Sequence, residues 1–174
     1  QSPSHIKRLS PDLSNKIAAG EVVERPASIV KELVENALDA QSSEITIVLE
    51  EGGKRLIQVI DNGRGILEDE LPLAFERHAT SKISSAKDLE AISSLGFRGE
   101  ALASIASVSR VEIRSIHHKA ASGKQLKLEA GGIIDDRPVG GTQGTNIAIK
   151  SLFYNTPARR KFLKADSTEY RHCL

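Results

Sequence analysis

Glu32 and Asn36 stand four residues apart in a stretch of helical periodicity, so their side chains lie one turn apart on one face. Asp39 continues that stripe. A carboxylate so placed can orient and deprotonate a water. A neutral amide oxygen is a hard ligand that suits Mg²⁺ without adding repulsion against phosphate oxygens. An ordinary solvated helix face carries the same stripe. Asp61 closes the buried-looking strand Ile57–Ile60 and is followed by Asn62-Gly63-Arg64-Gly65. An acid at a strand end can accept a hydrogen bond from an exocyclic amine, and Gly63 and Gly65 let backbone approach a flat ligand. A turn capped by Asp, with Gly supplying positive φ, accounts for the same residues. Gly96-Phe97-Arg98-Gly99-Glu100 leads into a helical stretch whose first N–H groups can cradle phosphate, or simply start a helix. Thr80-Ser81-Lys82 adds hydroxyls and an ammonium nearby in sequence, and Gly144-Thr145 opens a strand as many turns do.

Other chemistries lack their residues. A P-loop needs a hydroxyl after Gly-Lys, but Gly53-Lys54 is followed by Arg55 and Gly123-Lys124 by Gln125. No G-x-G-x-x-G follows a strand, so any nucleotide is bound by another route. His78 stands alone, His117-His118 fall between a strand and a turn, and no H-E-x-x-H occurs. Ser104 has no G-x-S-x-G around it.

The elements that must position these residues follow from periodicity. Ser10-Pro11 starts a helix running toward Glu24, after a loose arm. Pro26 begins a second helix to about Ala40, with Ile29, Val30, Leu33, Val34, Ala37 and Leu38 on its apolar arc. The period then drops to two, and residues 44–60 form a hairpin around Gly52-Gly53. Residues 67–78 read as helical, with Pro72 near the first turn, and a short helix covers Ala86–Ser93. Glu100 to Val108 is a small-residue helix. Val111–Ile116, Gln125–Ala130 and Thr145–Phe153 are strands joined by Gly turns, and Ala158–Lys164 is a basic helix. Strands and helices do not alternate regularly, which argues for α+β and against a doubly wound parallel sheet.

Composition sets the bounds. The 174 residues suit one domain with a real core. Lys plus Arg number 24 and Asp plus Glu 23, a net charge of +1, so bulk charge makes no case for nucleic acid. Aromatics are 3%, too few for a base-stacking surface. Charged residues interrupt every apolar run, so neither a membrane span nor a signal peptide is expected. One cysteine, Cys173, excludes an internal disulfide framework and fits a reducing, intracellular setting. The chain begins at Gln1 without Met and reads as a piece of a longer protein.

In combination these blocks resemble the MutL family of mismatch-repair ATPases, within the Bergerat-fold superfamily shared with type II topoisomerases, heat-shock chaperones and sensor histidine kinases. The resemblance is carried by Ile17-Ala-Ala-Gly-Glu-Val-Val-Glu-Arg-Pro26, Lys31-Glu-Leu-Val-Glu-Asn-Ala-Leu-Asp-Ala40, Asp61-Asn-Gly-Arg-Gly65, His78-Ala-Thr-Ser-Lys-Ile83, Gly96-Phe-Arg-Gly-Glu-Ala-Leu102 and Leu152-Phe-Tyr-Asn-Thr-Pro-Ala-Arg-Arg160, in family order across nearly the whole chain. It implies a Bergerat-type α/β sandwich: a mixed, largely antiparallel sheet covered by helices on one face, with ATP between helices and sheet.

The resemblance also assigns roles. Glu32 would activate the attacking water and Asn36 would coordinate Mg²⁺. Asp61 would read the adenine amino group, with Gly63 and Gly65 lining the base pocket. Thr80, Ser81, Lys82, Gly96, Phe97, Arg98, Gly99, Glu100, Ala101 and Leu102 would contact the nucleotide, with residues 71–99 as a lid over it. Gly144-Thr145 matches the last nucleotide motif by counting back from Leu152-Phe153, in preference to Gly141-Thr142. ATP would act as a switch that closes two N-terminal domains in a homo- or heterodimer and engages a mismatch-recognition protein.

In this scheme residues 1–25 are an arm and first helix, and 150–174 begin the connection to a second subdomain. That subdomain would supply a Lys to the γ-phosphate, so weak or no turnover is implied for this chain alone. From Lys150 onward six basic residues face two acidic ones, a patch for weak DNA contact or the cationic end of a surface helix. A DNA- or partner-binding module is the competing reading; a sensor-kinase domain would not carry the F-Y-N-T-P-A-R-R block. The implied location is the cytoplasm in a bacterium or the nucleus in a eukaryote.

Overall fold

The structure is a computed structural model and describes residues 25–76 and 100–161. Helix α1 spans Pro26–Asp39. Proline is suited to a first helical position because its missing N–H would have no intrahelical partner there. Ile29, Val30, Leu33 and Ala37 recur at helical spacing and are buried. Leu38, placed on the same arc by periodicity, is instead 58% exposed at the helix end. Gln41 turns the chain out with φ 61. Arg64 holds that end, its Nη2 donating to Asp39 O at 2.7 Å and its backbone N–H to Ala40 O at 3.0 Å.

Strands β1 (Ile45–Glu50) and β2 (Leu56–Asp61) form the expected hairpin around a short turn at Glu51–Gly53. The segment read as a helix over 67–78 departs from that reading. Within its described part the regular structure is one 3₁₀ turn, Pro72–Phe75. Pro72 has no N–H for an α-helical bond, so the chain breaks into two turns that still bury Leu71, Ala74 and Phe75. His78 and the helices read at 10–24 and 86–93 lie outside the described residues.

Helix α2 (Ala101–Ser107) is buried throughout. Strands β3 (Arg110–Ile116), β4 (Gly123–Glu129), β5 (Gly132–Val139) and β6 (Gly144–Lys150) follow, then the short helix α3 (Pro157–Lys161). Two expectations from the sequence are corrected by these elements. Gly132–Val139 falls where periodicity places only a connecting turn, yet it is a strand. It sits at the sheet edge, where Pro138 costs no ladder bond to an outer neighbour. The last strand stops at Lys150 rather than Phe153, because Ser151 (φ 54) and Phe153 (φ 62) adopt left-handed backbone. Their N–H groups are then satisfied off the sheet, by Arg55 O and Val108 O.

The sheet order is β1-β2-β6-β3-β4-β5, with every pairing antiparallel. This is α+β, as expected. Alternation places Ile57, Val59 and Asp61 on one face of β2. Register then builds rows across the central strands. Ile57–Ile149–Val111 and Val59–Ile147–Ile113 are buried apolar rows, and Asp61–Thr145–Ser115 is a polar row at the sheet's end. The apolar rows join α1, Leu102 and Ile105 of α2, Leu126 and Leu128 in one core.

Candidate functional site

The polar row opens into a cavity between helices and sheet. Its wall is Leu33, Asn36 and Ala37 of α1, Ala40 just after it, Leu102 of α2, and Val59, Asp61, Ile113, Thr145 and Ile147 of the sheet, with Ile66 closing one side. The lining is apolar except for Asn36, Asp61 and Thr145. Such a pocket suits a flat, largely apolar ligand with a few directed polar atoms.

Asp61 is held by its own loop: the Gly63 N–H donates to its Oδ1 at 2.9 Å. Burial pushes its carboxyl above the ordinary carboxylate value. Hydrogen bonds from the Gly63 and Thr145 backbone and from the Ser42 hydroxyl work in the opposite direction. An acid in these surroundings is desolvated yet oriented, the condition for reading a single amine. Asn36 contributes an acceptor with nothing to accept. Its Oδ1 is buried and makes no hydrogen bond, which normally costs about 1–3 kcal/mol. A cation or a ligand donor would satisfy it. Glu32 lies one turn earlier on α1 with Oε2 shielded from solvent, beside this wall rather than in it.

The glycines of the loop serve the protein's own packing. Gly65 has φ 73, and a Cβ there would strike the Ile116 carbonyl. A Cβ on Gly63 would meet Ser42 Oγ at 2.6 Å and Ala40 Cβ at 2.8 Å. Gly144 has φ 128, and its Cβ would run into the Asp61 carbonyl. Gly144 thus brings β6 against the end of β2 and sets Thr145 beside Asp61, while Gly63 and Gly65 pack the loop after β2 against the end of α1 and the end of β3. Gln143 adds a clasp, its Nε2 reaching Gly63 O at 3.3 Å and Asn62 O at 3.4 Å.

Of the residues singled out in the sequence, Asn36, Asp61, Leu102 and Thr145 come together on one cavity. Glu100 precedes α2, and Ala101 is buried within it. Thr80, Ser81, Lys82, Gly96, Phe97, Arg98 and Gly99 lie outside the described residues, as do most of the lid and the arm. Two basic residues of α3 are engaged internally: Arg159 stacks over Phe153 at 4.9 Å and Arg160 donates to Leu152 O at 3.0 Å. Sequence reading missed Ser42, Ile66 and Ser115. Ser115 had a signal, being a hydroxyl in phase with Val111 and Ile113 on a strand whose other in-phase positions are apolar.

Comparison with known proteins agrees with this geometry. Residues 24–142 match the family described as Histidine kinase-, DNA gyrase B-, and HSP90-like ATPase. The chain is 53% identical over 169 residues to a DNA mismatch repair protein MutL of Pelodictyon phaeoclathratiforme, covering 97% of this chain and 27% of that protein. It is 58% identical over 167 residues to a MutL of Xanthomonas oryzae pv. oryzae, covering 96% and 27%. The chain thus spans about a quarter of the length of these relatives. Among solved structures, the Aquifex aeolicus MutL ATPase domain complexed with ADP superposes with a TM-score of 0.66 at 39% identity, over 87% of this chain and 52% of that one. The N-terminal domain of a DNA repair protein gives a TM-score of 0.79 at 28% identity, over 95% and 48%. With its cavity between α1 and an antiparallel sheet, its sequence and its neighbours all in agreement, the chain belongs to the histidine kinase-, DNA gyrase B- and HSP90-like ATPase family, in its MutL branch.

Proposed function

We infer that this domain binds ATP in the cavity beneath α1 and hydrolyses it as the switch of a mismatch-repair protein. One observation carries the reading: Asp61, Thr145 and the orphaned Asn36 Oδ1 converge on one apolar pocket. Adenine fits it, with a flat apolar face for Val59, Ile66, Ile113 and Ile147 and an exocyclic amine for the Asp61 carboxylate. ADP is bound by the Aquifex aeolicus domain that superposes on this one.

Catalysis here is positioning and electrostatics. Asp61 orients the base, and α1, anchored by Ile29 and Leu33 in the core, carries Asn36 and Glu32 along the nucleotide. Asn36 fits Mg²⁺, since its buried amide oxygen lacks a donor, and the ion when bound neutralises phosphate charge. Glu32 holds and deprotonates the attacking water. Coupling of nucleotide state to N-terminal dimerisation, and to engagement of a mismatch-recognition protein and DNA, belongs to the same proposal and rests on the resemblance to the MutL family.

The test is equilibrium binding of a non-hydrolysable ATP analogue and its GTP counterpart, with and without Mg²⁺. Adenine preference and Mg²⁺ enhancement are expected. Equal affinity for the two bases would sink the assignment of Asp61.

A further inference from the structure

Ser115 lies behind the pocket wall, 1% exposed, and touches nothing in the cavity directly. Its hydroxyl has three polar neighbours. The Ile66 N–H donates to Ser115 Oγ at 2.8 Å. Thr145 Oγ1 is 2.7 Å from it, and Gly144 O is 3.3 Å away. A serine hydroxyl has one proton to give. The Ile66 donation occupies one lone pair. Of the two remaining partners, only Thr145 is at normal O–H···O distance, and Gly144 O is beyond it. Ser115 can give its single proton to Thr145 Oγ1 or to Gly144 O; given along the shorter contact, to Thr145, it leaves the proton of Thr145 for the pocket.

We propose that Ser115 is a specificity-positioning residue: it fixes the Thr145 hydroxyl as a donor into the cavity, directly beside the Asp61 acceptor. The cross-strand register that sets Asp61, Thr145 and Ser115 side by side makes this possible. An acceptor next to a donor is the complement of the adenine edge, where the amine donates and ring nitrogen N1 accepts. On guanine these positions carry an acceptor and a donor, so the same pair is mismatched twice. The inference rests on the adenine-nucleotide reading of the cavity and goes beyond it by naming what sets the polarity of Thr145.

The experiment measures binding of an ATP analogue, its GTP counterpart, and the adenine analogue with N1 replaced by C–H, to the 174-residue chain and its Ser115→Ala variant. The parent chain should prefer ATP over the C–H analogue by about 3- to 10-fold, the scale of one net hydrogen bond. In Ser115→Ala that gap should close, with ATP weakened to the level of the C–H analogue and the analogue itself nearly unchanged. A purely structural loss would weaken both ligands alike, and that result overturns the proposal. So does a parent chain that binds both adenine ligands equally while still rejecting GTP, which leaves the adenine reading standing. A parent chain indifferent between ATP and GTP fails the underlying reading instead. Ser115→Cys carries the same test should the alanine variant unfold, because a thiol of similar size is a weak donor. Ser115→Thr keeps the hydroxyl and should keep the gap.

Discussion

Asp61 carries its charge at a cost, and pH exposes it. Burial raises its carboxyl in the folded chain above the ordinary carboxylate value. The folded state therefore holds this proton to higher pH than the unfolded state. The associated stability is present below the unfolded value and is lost as pH rises through the folded one. Binding of an adenine amine needs the ionised form, so the two effects have opposite signs. Affinity for an ATP analogue should climb with pH through the Asp61 titration and then level off. Titration calorimetry across that range checks this, and Asp61→Asn, which cannot ionise, should flatten the slope; an unchanged slope would point to another group. Asn36 and Glu32 share a helix face yet should fail differently. Asn36→Ala should weaken Mg²⁺-dependent nucleotide binding. Glu32→Ala should leave affinity within a few-fold and lower turnover by roughly 10²-fold or more, the usual scale for a general base. The rate is to be measured in a chain extended to the length of the MutL relatives. Parental turnover there would demote Glu32 to a structural helix residue and bring Glu35 or Asp39 forward.

At the scale of elements, the site depends on how closely β6 approaches the end of β2. Gly144 permits that approach twice over, through its φ of 128 and through the space a Cβ would take from the Asp61 carbonyl. Gly144→Ala should destabilise the fold by about 2 kcal/mol or more and displace Thr145 from Asp61. Gly140, four residues earlier, has open space where a methyl would stand, with nothing within 4 Å, and its alanine variant should stay within about 0.5 kcal/mol of the parent. Chemical denaturation of the two variants compares them; equal stability would mean the β6–β2 contact relaxes freely. The left-handed Phe153 shows the same logic elsewhere. Its buried ring and its bond to Val108 O at 2.7 Å hold a conformation that costs roughly 1–3 kcal/mol by itself.

For the whole molecule, the cavity is shared by α1, α2 and three strands, so ligand binding should stabilise the domain as a unit. An ATP analogue at a hundred times its Kd should add about 2.7 kcal/mol, a rise in Tm of roughly 5–10 °C for a domain of this size. Differential scanning fluorimetry reads it directly. Asp61→Ala should remain folded and show no such rise; a full shift in that variant would place the nucleotide elsewhere. The chain's near-zero net charge, with Arg159 and Arg160 spent on Phe153 and Leu152 O, gives no strong electrostatic drive toward DNA within the described residues.

Local patterns in the sequence determined α1, the β1–β2 hairpin and the α+β class, and singled out Asn36 and Asp61 as candidates, because each depends on spacing along the chain; Thr145 was singled out only through the resemblance to the MutL family. Helical period put Asn36 one turn from Glu32, and the end of a strand pattern marked Asp61. Tertiary structure decided what spacing could not. Pro72 split a helical pattern into two turns, and an acidic, proline-bearing segment became an edge strand because β4 had an unpaired side. Ser115, thirty residues from Thr145 in sequence, became its hydrogen-bond partner through antiparallel register. A residue's neighbours across strands depend on which strands pair, and in this sheet β6 inserts between β2 and β3. That insertion builds the polar row, and no local signal encodes it.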